Sequence, residues 1–189
     1  METEYSRPVI LASRNVHSAM LDGCALLDLD LEFIRSGQAH GLCSAVVIAQ
    51  EVEKSLKACG KLPAAVYLTS PDYLGVQSDI AAIAEVCHKY GTLLAVDNAH
   101  GAYLAFLEAS KHPIHLGADL CCDSAHKTLP VLTGGAYLHL HENIVSEILD
   151  SARKGLTMFG STSPSYLILQ SLDLCNEYLE REFRRELAE

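Results

Sequence analysis

The segment AAVYLTSPDYLGVQSDIAAIAEVCHKYGTLLAVD, residues 64–97, holds two short apolar runs with an amphipathic stretch between them. The runs at 64–69 and 92–97 are almost continuously apolar, which is typical of strands buried on both faces. The intervening residues 79–90 predict a helix, since four apolar side chains recur on one face: Ile80, Ile83, Ala84 and Cys87. The segment therefore predicts a strand–helix–strand unit.

The same alternation extends in both directions along the chain. Further strands are predicted at 8–13, 29–34, 119–123 and 135–140, with 29–34 as a more exposed edge. Further helices are predicted from 18 to 27, 46 to 58 and 142 to 153, with a loop at 36–44. Strands alternating with helices indicate an α/β fold with a largely parallel sheet and helices on both faces.

A different pattern begins after Gly160. One long helix is predicted over 166–187, with an apolar face formed by Leu169, Leu172, Leu179 and Phe183. Ser163, directly before Pro164, is the predicted N-cap of this helix. We expect a large domain over 1–160, followed over 161–189 by a loop and a helix that connects to a further domain.

Composition excludes several classes of protein. A formal charge of −10 over 189 residues argues against nucleic acid or an anionic membrane as a partner. Seven cysteines, without a C-x-x-C pair, fall mostly inside apolar runs and predict small buried side chains in a reducing compartment. With no signal peptide and no apolar run of about 18 residues, we expect a cytoplasmic protein.

Polar residues collect where the predicted strands end. Asp97 and His100 follow one strand, and Ser124, His126 and Lys127 follow another. In open parallel sheets ligands gather at the carboxyl ends of the strands. A lysine at this place is compatible with a surface turn, or with an amine that attacks a carbonyl. Asp97 and His100 are likewise compatible with a turn cap and a core histidine.

The pair Asp97 and Lys127 favours a cofactor bound between two strand ends. In pyridoxal phosphate chemistry a lysine holds the aldehyde as an imine, and an acid keeps the ring nitrogen protonated. A metallohydrolase using Asp97, His100 and His126 is an alternative, but no H-x-H or H-E-x-x-H spacing supports it. We therefore predict no metal site.

Five motifs in order resemble the Orn/Lys/Arg decarboxylase family, pyridoxal phosphate enzymes of the aspartate-aminotransferase fold. They are RNVHS (14–18), TSPDYLG (69–75), DNAHGA (97–102), SAHKTLPVLT (124–133) and STSPSY (161–166). The resemblance implies decarboxylation of lysine, arginine or ornithine, a small-molecule substrate, and a homodimer or higher homo-oligomer. It also implies the fold of the large domain of such enzymes, incomplete at both ends.

The resemblance implies a role for each matching residue. Lys127 would form the internal aldimine, and Asp97 would pair with the pyridine nitrogen. His17 would stack on one face of the ring and Ala99 would lie under the other. His100 would lie near the ring hydroxyl or the substrate carboxylate. Ser124 and His126 would reach towards the phosphate. Ser161, Thr162 and Ser163 would help to complete the phosphate site of the partner subunit.

The chain departs from the family pattern at several points. Gly134 and Gly135 stand where many members have Gln and small residues, which predicts a subgroup with a different substrate. Ser18 follows His17 directly, where the family usually has Lys. No Gly-Thr-Ser-Gly-like phosphate cradle lies within residues 1–13, so we expect a truncated chain. A non-catalytic remnant that folds without holding the cofactor productively is therefore an alternative.

Overall fold

The computed structural model describes residues 7–35, 37 and 45–188. The chain divides into two compact units, Met1–Asp97 and Asn98–Glu189. Apart from Gly37, the loop predicted at 36–44 lies outside the described residues. Within the described ranges, no helix combines the length and the apolar character needed to cross a lipid bilayer.

Four parallel strands form the sheet of the first unit, in the order β2-β1-β3-β4. The strands are β1 (Val9–Ala12), β2 (Asp30–Phe33), β3 (Ala65–Thr69) and β4 (Leu93–Asp97). All four were predicted from the sequence. β2 lies at one end of this order and its residues are half-buried or exposed, which confirms the predicted edge strand.

Helices connect these strands, as parallel pairing requires. They are α1 (Ser18–Leu26), α2 (Ala49–Ala58) and α3 (Ile80–Tyr90). α3 begins where the Asp79 carboxylate accepts a hydrogen bond from the backbone N–H of Ala82 at 3.1 Å. It ends at Gly91, whose φ of 72° is left-handed and favours glycine. Its buried side chains are the four that the sequence predicted.

The core of the first unit lies between the sheet and its helices. The side chains buried there come from alternate strand positions and from the apolar faces of α2 and α3: Leu11, Val66, Leu68, Leu94, Val96, Val52, Leu56 and Ile83. Each such side chain contributes roughly 1.5–3 kcal/mol by leaving water. This burial explains the near-continuous apolar runs in the sequence.

The second unit contains an antiparallel pair, β5 (Leu120–Asp123) and β6 (Tyr137–Leu140). Every other pairing described within the two units is parallel, so the sheet is largely parallel, as predicted. Sequence patterns did not predict two short 3-10 helices, at Ala102–Phe106 and Pro113–Leu116, or the single helical turn α4 (Ala125–Thr128). These elements are too short to show an apolar period.

The helices near the end of the chain correct two predictions. α5 spans Ser146–Phe159, not 142–153, because the backbone N–H of Ile144 bonds to the His141 carbonyl in a turn. The predicted helix over 166–187 is α6 (Tyr166–Tyr178), a π-helical segment (Leu179–Phe183) and α7 (Arg184–Ala188). Its N-cap is Ser165, not Ser163, because the chain at 161–165 is a turn outside the helix.

A second apolar cluster anchors the long helix within the second unit. Its buried members come from three helical elements and the residue after α4: Ala102, Ala125, Leu129, Cys175 and Leu179. Phe106 and Phe183 meet edge to face, with their ring centroids 5.3 Å apart. Leu172 and Phe183 pack against this cluster as predicted, whereas Leu169 is 45% exposed and does not belong to the buried face.

The described cysteines form no disulfide, as the sequence predicted. Cys24, Cys87, Cys121 and Cys175 are buried, and Cys59 and Cys122 are half-buried. Burial raises the pKa of the Cys175 thiol, which keeps it protonated. Cys43 lies outside the described residues.

Candidate active site

Lys127 lies on α4, the helical turn that begins directly after β5. Ser124 is its N-cap, and the Ser124 carbonyl accepts a hydrogen bond from the backbone N–H of Lys127 at 2.9 Å. The Lys127 side chain is exposed, and its Nζ lies 3.4 Å from Nε2 of His100. The structure thus brings together two residues that the sequence indicated, and places a primary amine directly after β5.

His126 is oriented by the loop that precedes β6. Its Nδ1 lies 3.0 Å from the Gly135 carbonyl oxygen, and its backbone N–H bonds to the same oxygen at 3.2 Å. A Cβ built on Gly135 would lie 2.3 Å from Cγ1 of Val131, and Gly134 has a φ of 101°. Packing and backbone conformation therefore explain the two glycines without reference to a substrate.

Asp123, at the end of β5, is the centre of a buried polar network that the sequence analysis missed. Its Oδ1 accepts a hydrogen bond from Nδ2 of Asn98 at 2.7 Å. Its Oδ2 lies 3.0 Å from Nε2 of His112 and 3.0 Å from Nε2 of His139. Burial alone would raise the pKa of Asp123, but the hydrogen bonds from His112, His139 and Asn98 outweigh it and lower that pKa.

The position of Asp123 was a signal that could have revealed this network. Asp123 ends a buried strand in the same way as Asp97, and a half-buried carboxylate requires partners. Its histidine partners are 11 and 16 residues away in the sequence. No local spacing links them, and they meet only through the fold.

Asp97 ends β4 in the first unit and is 8% exposed. Thr69 is its partner residue on β3, and the backbone N–H of Ser70 bonds to the Asp97 carbonyl at 3.0 Å. Thr69 Oγ1 is buried without a hydrogen-bond partner among the described residues. The paired ends of β3 and β4 therefore carry a buried carboxylate and a buried hydroxyl that has no hydrogen-bond partner among the described residues.

The TSPDYLG motif begins with the last residue of β3 and continues as a turn. The Asp72 carboxylate accepts hydrogen bonds from the backbone N–H groups of Leu74 and Val76, both at 2.9 Å. Ser70 Oγ accepts one from the N–H of Ser78 at 3.1 Å. The polar side chains of this motif therefore shape the loop between β3 and α3.

His17, also in the first unit, caps α1. Its Nδ1 accepts a hydrogen bond from the backbone N–H of Ala19 at 3.1 Å, and its ring is exposed. Ala99 lies in the second unit, half-buried between Asn98 and His100. An exposed ring is able to stack on a flat ligand, so the geometry of His17 is compatible with the role that the sequence implied.

Ser161, Thr162 and Ser163 lie in the exposed turn between α5 and α6. Ser161 Oγ accepts a hydrogen bond from the backbone N–H of Ser163 at 3.1 Å. Three exposed hydroxyl side chains in one turn provide donors suited to a phosphate.

The side chains fit the chemistry of pyridoxal phosphate group by group. An aldehyde requires an accessible primary amine, which Lys127 provides. A protonated ring nitrogen requires a buried carboxylate, which Asp97 provides. The hydroxyls of Ser124 and of the turn at 161–163 are able to donate to a phosphate.

Solved structures share this fold. A serine palmitoyltransferase variant from S. paucimobilis, solved with a bound PLP–myriocin aldimine, superposes with a TM-score of 0.68 at 13% identity. The match covers 95% of this chain and 44% of that chain. At this identity the likeness establishes the fold, which is that of the fold-type I pyridoxal phosphate enzymes, as the sequence predicted.

The family described as Orn/Lys/Arg decarboxylase, major domain, matches residues 4–189, and the chain belongs to this family. An arginine decarboxylase of Bacillus subtilis (strain 168) is 31% identical over 189 residues, 95% of this chain and 36% of its own length. The uncharacterized protein YaaO of the same organism is 40% identical over 116 residues, 60% of this chain and 24% of its own.

The chain therefore spans about a third or less of the length of the curated relatives named above. The family and the fold together support pyridoxal phosphate, the cofactor that the sequence predicted.

Proposed function

We propose that the chain supplies the cofactor-binding part of a pyridoxal phosphate-dependent decarboxylase that acts on arginine, lysine or ornithine. The observation that carries the proposal is the exposed Lys127 amine, placed at the end of a buried strand with His100 Nε2 at 3.4 Å. Membership of the decarboxylase family supports the reaction class. The net charge of −10 suits a cationic substrate, since it favours the approach of positive charge.

In this proposal each residue has a role in cofactor binding or in proton transfer. When bound, pyridoxal phosphate would supply a ring that accepts the electron pair released as the bond between Cα and the carboxylate breaks. Lys127 would hold the cofactor through its amine, and the Asp97 carboxylate would keep the ring nitrogen protonated. His17 and Ala99 would pack against the ring.

The remaining residues bind the phosphate and move the proton. Ser124, His126 and the hydroxyls of Ser161, Thr162 and Ser163 would hold the phosphate, the last three from a partner subunit of a homodimer or larger homo-oligomer. His126 or Lys127 would donate the proton that replaces the carboxylate on Cα and so give the amine product. His100 would lie near the ring hydroxyl or the substrate carboxylate.

Absorption spectroscopy on protein supplied with pyridoxal phosphate tests the role of Lys127. We expect a band typical of an imine in the natural chain and its loss in Lys127→Ala. Lys111→Ala, an exposed lysine in the same unit, serves as the control and retains the band. A band that persists in Lys127→Ala would show that another amine binds the cofactor.

A separate assay addresses catalysis by this chain. The second candidate function is a folded polypeptide that does not bind the cofactor productively. Release of carbon dioxide and the corresponding amine from arginine, lysine or ornithine would exclude it. An imine band that is lost in Lys127→Ala, without amine release, would mean that the chain binds the cofactor on Lys127 but does not complete the reaction alone.

A further inference from the structure

Four side chains able to bind a metal meet in the second unit, and the proposed decarboxylation assigns a role to none of them. They are His112, Cys121, Asp123 and His139. His112, Cys121 and Asp123 are buried, and one ligand atom from each lies within 4.8 Å of the others. His139 adds a fourth ligand atom, its Nε2, which lies 3.0 Å from Asp123 Oδ2.

The β5–β6 pair explains why three of these side chains share one face. Successive residues of a strand point to opposite faces, so Cys121 and Asp123 lie on the same face of β5. Cys121 is directly opposite His139 in the antiparallel register, and opposite residues project to the same side. Cys122, between the two β5 ligands, points to the other face.

His112 completes the cluster from outside the sheet. It precedes Pro113, the first residue of the 3-10 helix at Pro113–Leu116, and its side chain is 4% exposed. Its Nε2 lies 3.0 Å from Asp123 Oδ2 and 3.9 Å from Cys121 Sγ. Cys121 Sγ lies 3.5 Å from Asp123 Oδ1. The ligand atoms of His112, Cys121 and Asp123 therefore lie close to one another, and His139 contacts the Asp123 carboxylate from the exposed side.

These separations are close to those of a tetrahedral zinc site. Zinc binds nitrogen or oxygen at about 2.0 Å and sulfur at about 2.3 Å, which places neighbouring ligand atoms about 3.3–3.6 Å apart. The separations of Asp123 from His112, His139 and Cys121, and of His112 from Cys121, are 3.0–3.9 Å and differ from these values by only a few tenths of an ångström. Two histidines, one cysteine and one aspartate are ligands that Zn²⁺ accepts.

Charge and access favour an ion at this place. A thiolate from Cys121 and the Asp123 carboxylate would balance the two positive charges of the ion, so that no net charge is buried. A cavity of about 200 Å³ borders His112, Asp123 and His139. The His139 side chain is 38% exposed, and it provides a route by which an ion reaches the buried ligands.

We propose that His112, Cys121, Asp123 and His139 bind one Zn²⁺ or a similar divalent transition metal. The sequence patterns, by contrast, predicted no metal site. The alternative is a network held by hydrogen bonds alone, in which both imidazoles donate to Asp123 Oδ2. The two arrangements differ at Cys121. In the metal site Cys121 is a thiolate ligand, and in the hydrogen-bonded network it remains a buried thiol.

Cobalt(II) titration of chelator-treated protein without pyridoxal phosphate tests the proposal. We expect saturation near one ion per chain, with a sulfur-to-cobalt charge-transfer band in the near ultraviolet and strong visible bands typical of tetrahedral cobalt. One equivalent of Zn²⁺ should abolish both. Cys121→Ser, nearly isosteric and therefore compatible with folding, should lose the charge-transfer band. His139→Ala, at the half-exposed ligand, should lower the affinity at least about tenfold.

Cys122→Ser is the matched control, because it removes the neighbouring thiol on the opposite face and should leave the titration unchanged. Far-ultraviolet circular dichroism verifies that each variant is folded. No saturable cobalt binding, binding without a charge-transfer band, or a band that persists in Cys121→Ser would overturn the proposal and leave the hydrogen-bonded network. None of these readouts depends on decarboxylase activity.

Discussion

Lys127 Nζ and His100 Nε2 lie 3.4 Å apart, although 27 residues separate the two in the sequence. The contact joins the turn after β5 to the segment that follows Asn98. Asn98 is itself tied to β5, because its backbone N–H bonds to the Cys122 carbonyl at 2.9 Å. This bond holds the segment that carries His100 beside the strand that precedes Lys127.

His100→Ala should slow the covalent attachment of pyridoxal phosphate to Lys127. One hydrogen bond contributes about 1 kcal/mol, which corresponds to roughly a fivefold lower rate. Stopped-flow absorbance after mixing with the cofactor measures this rate. His88→Ala, at an exposed position on α3, is the control and should match the natural chain. Equal rates in the natural chain and in His100→Ala would mean that the imidazole does not orient the amine.

Gly135→Ala should destabilise the protein by about 1–3 kcal/mol, the usual cost of overpacking. The added methyl group would lie 2.3 Å from Val131 Cγ1, and relieving this clash displaces the carbonyl that contacts His126. Urea denaturation measures the loss. Gly155→Ala, on α5 with open space around it, should instead leave stability unchanged or raise it by up to about 1 kcal/mol. The prediction fails if the two variants are equally stable.

The predicted alternation of strands and helices is confirmed because it depends on burial patterns that are local in sequence. The apolar runs at 64–69 and 92–97 are strands, and the face of α3 is buried as its period predicts. The helix predicted over 142–153 begins later in the structure, at Ser146. The polar residues of the preceding turn resemble the polar first turn of a helix. The antiparallel direction of β6 is set by the loop packed around Gly135, which has no periodic signal.

The candidate site could be predicted from the sequence less completely than the fold. The contact between His100 and Lys127 follows from two strand ends that carry polar residues, and the sequence indicated both. The position of Asp123 indicated a need for partners, but His112 and His139 could not be identified as those partners, since they belong to segments that appeared to be ordinary loop and strand. The roles of all the residues assigned to cofactor binding, Lys127 included, remain predictions.

The stability of the first unit should depend on pH through Glu53. Hydrogen bonds from Lys89, Lys57 and Tyr90 lower the pKa of Glu53 from 4.5 to about 2. Because the folded-state value is the lower one, this stabilisation is complete above about pH 4.5 and is lost as the pH falls through about 2. Thermal melting of Glu53→Gln should therefore show a lower midpoint than the natural chain at pH 7.

That difference in midpoint should shrink towards zero near pH 2, and it should also shrink in 1 M salt because the pairs are at the surface. Glu108→Gln, exposed in the second unit, is the control. A difference between Glu53→Gln and the natural chain that is constant from pH 7 to 2 would show that charge is not its cause.

Leu179→Ala should destabilise the second unit by about 2–5 kcal/mol, the range for a leucine removed from a packed core. Leu179 is 8% exposed and belongs to the cluster that anchors the long helix. Leu174→Ala, on the same helix at 57% exposure, is the matched control and should change stability by less than about 0.5 kcal/mol. Similar losses in both variants would contradict the packing described for this helix.

The central claim is that Lys127 is the amine that binds pyridoxal phosphate. Borohydride reduction of the cofactor-loaded protein, followed by proteolysis and mass spectrometry, locates the attached pyridoxyl group. The account predicts one modified peptide, containing residues 124–130 and carrying the group on Lys127, and no such product from Lys127→Ala. A group on Lys111 or Lys154 instead, or modification spread over the exposed lysines, would contradict it.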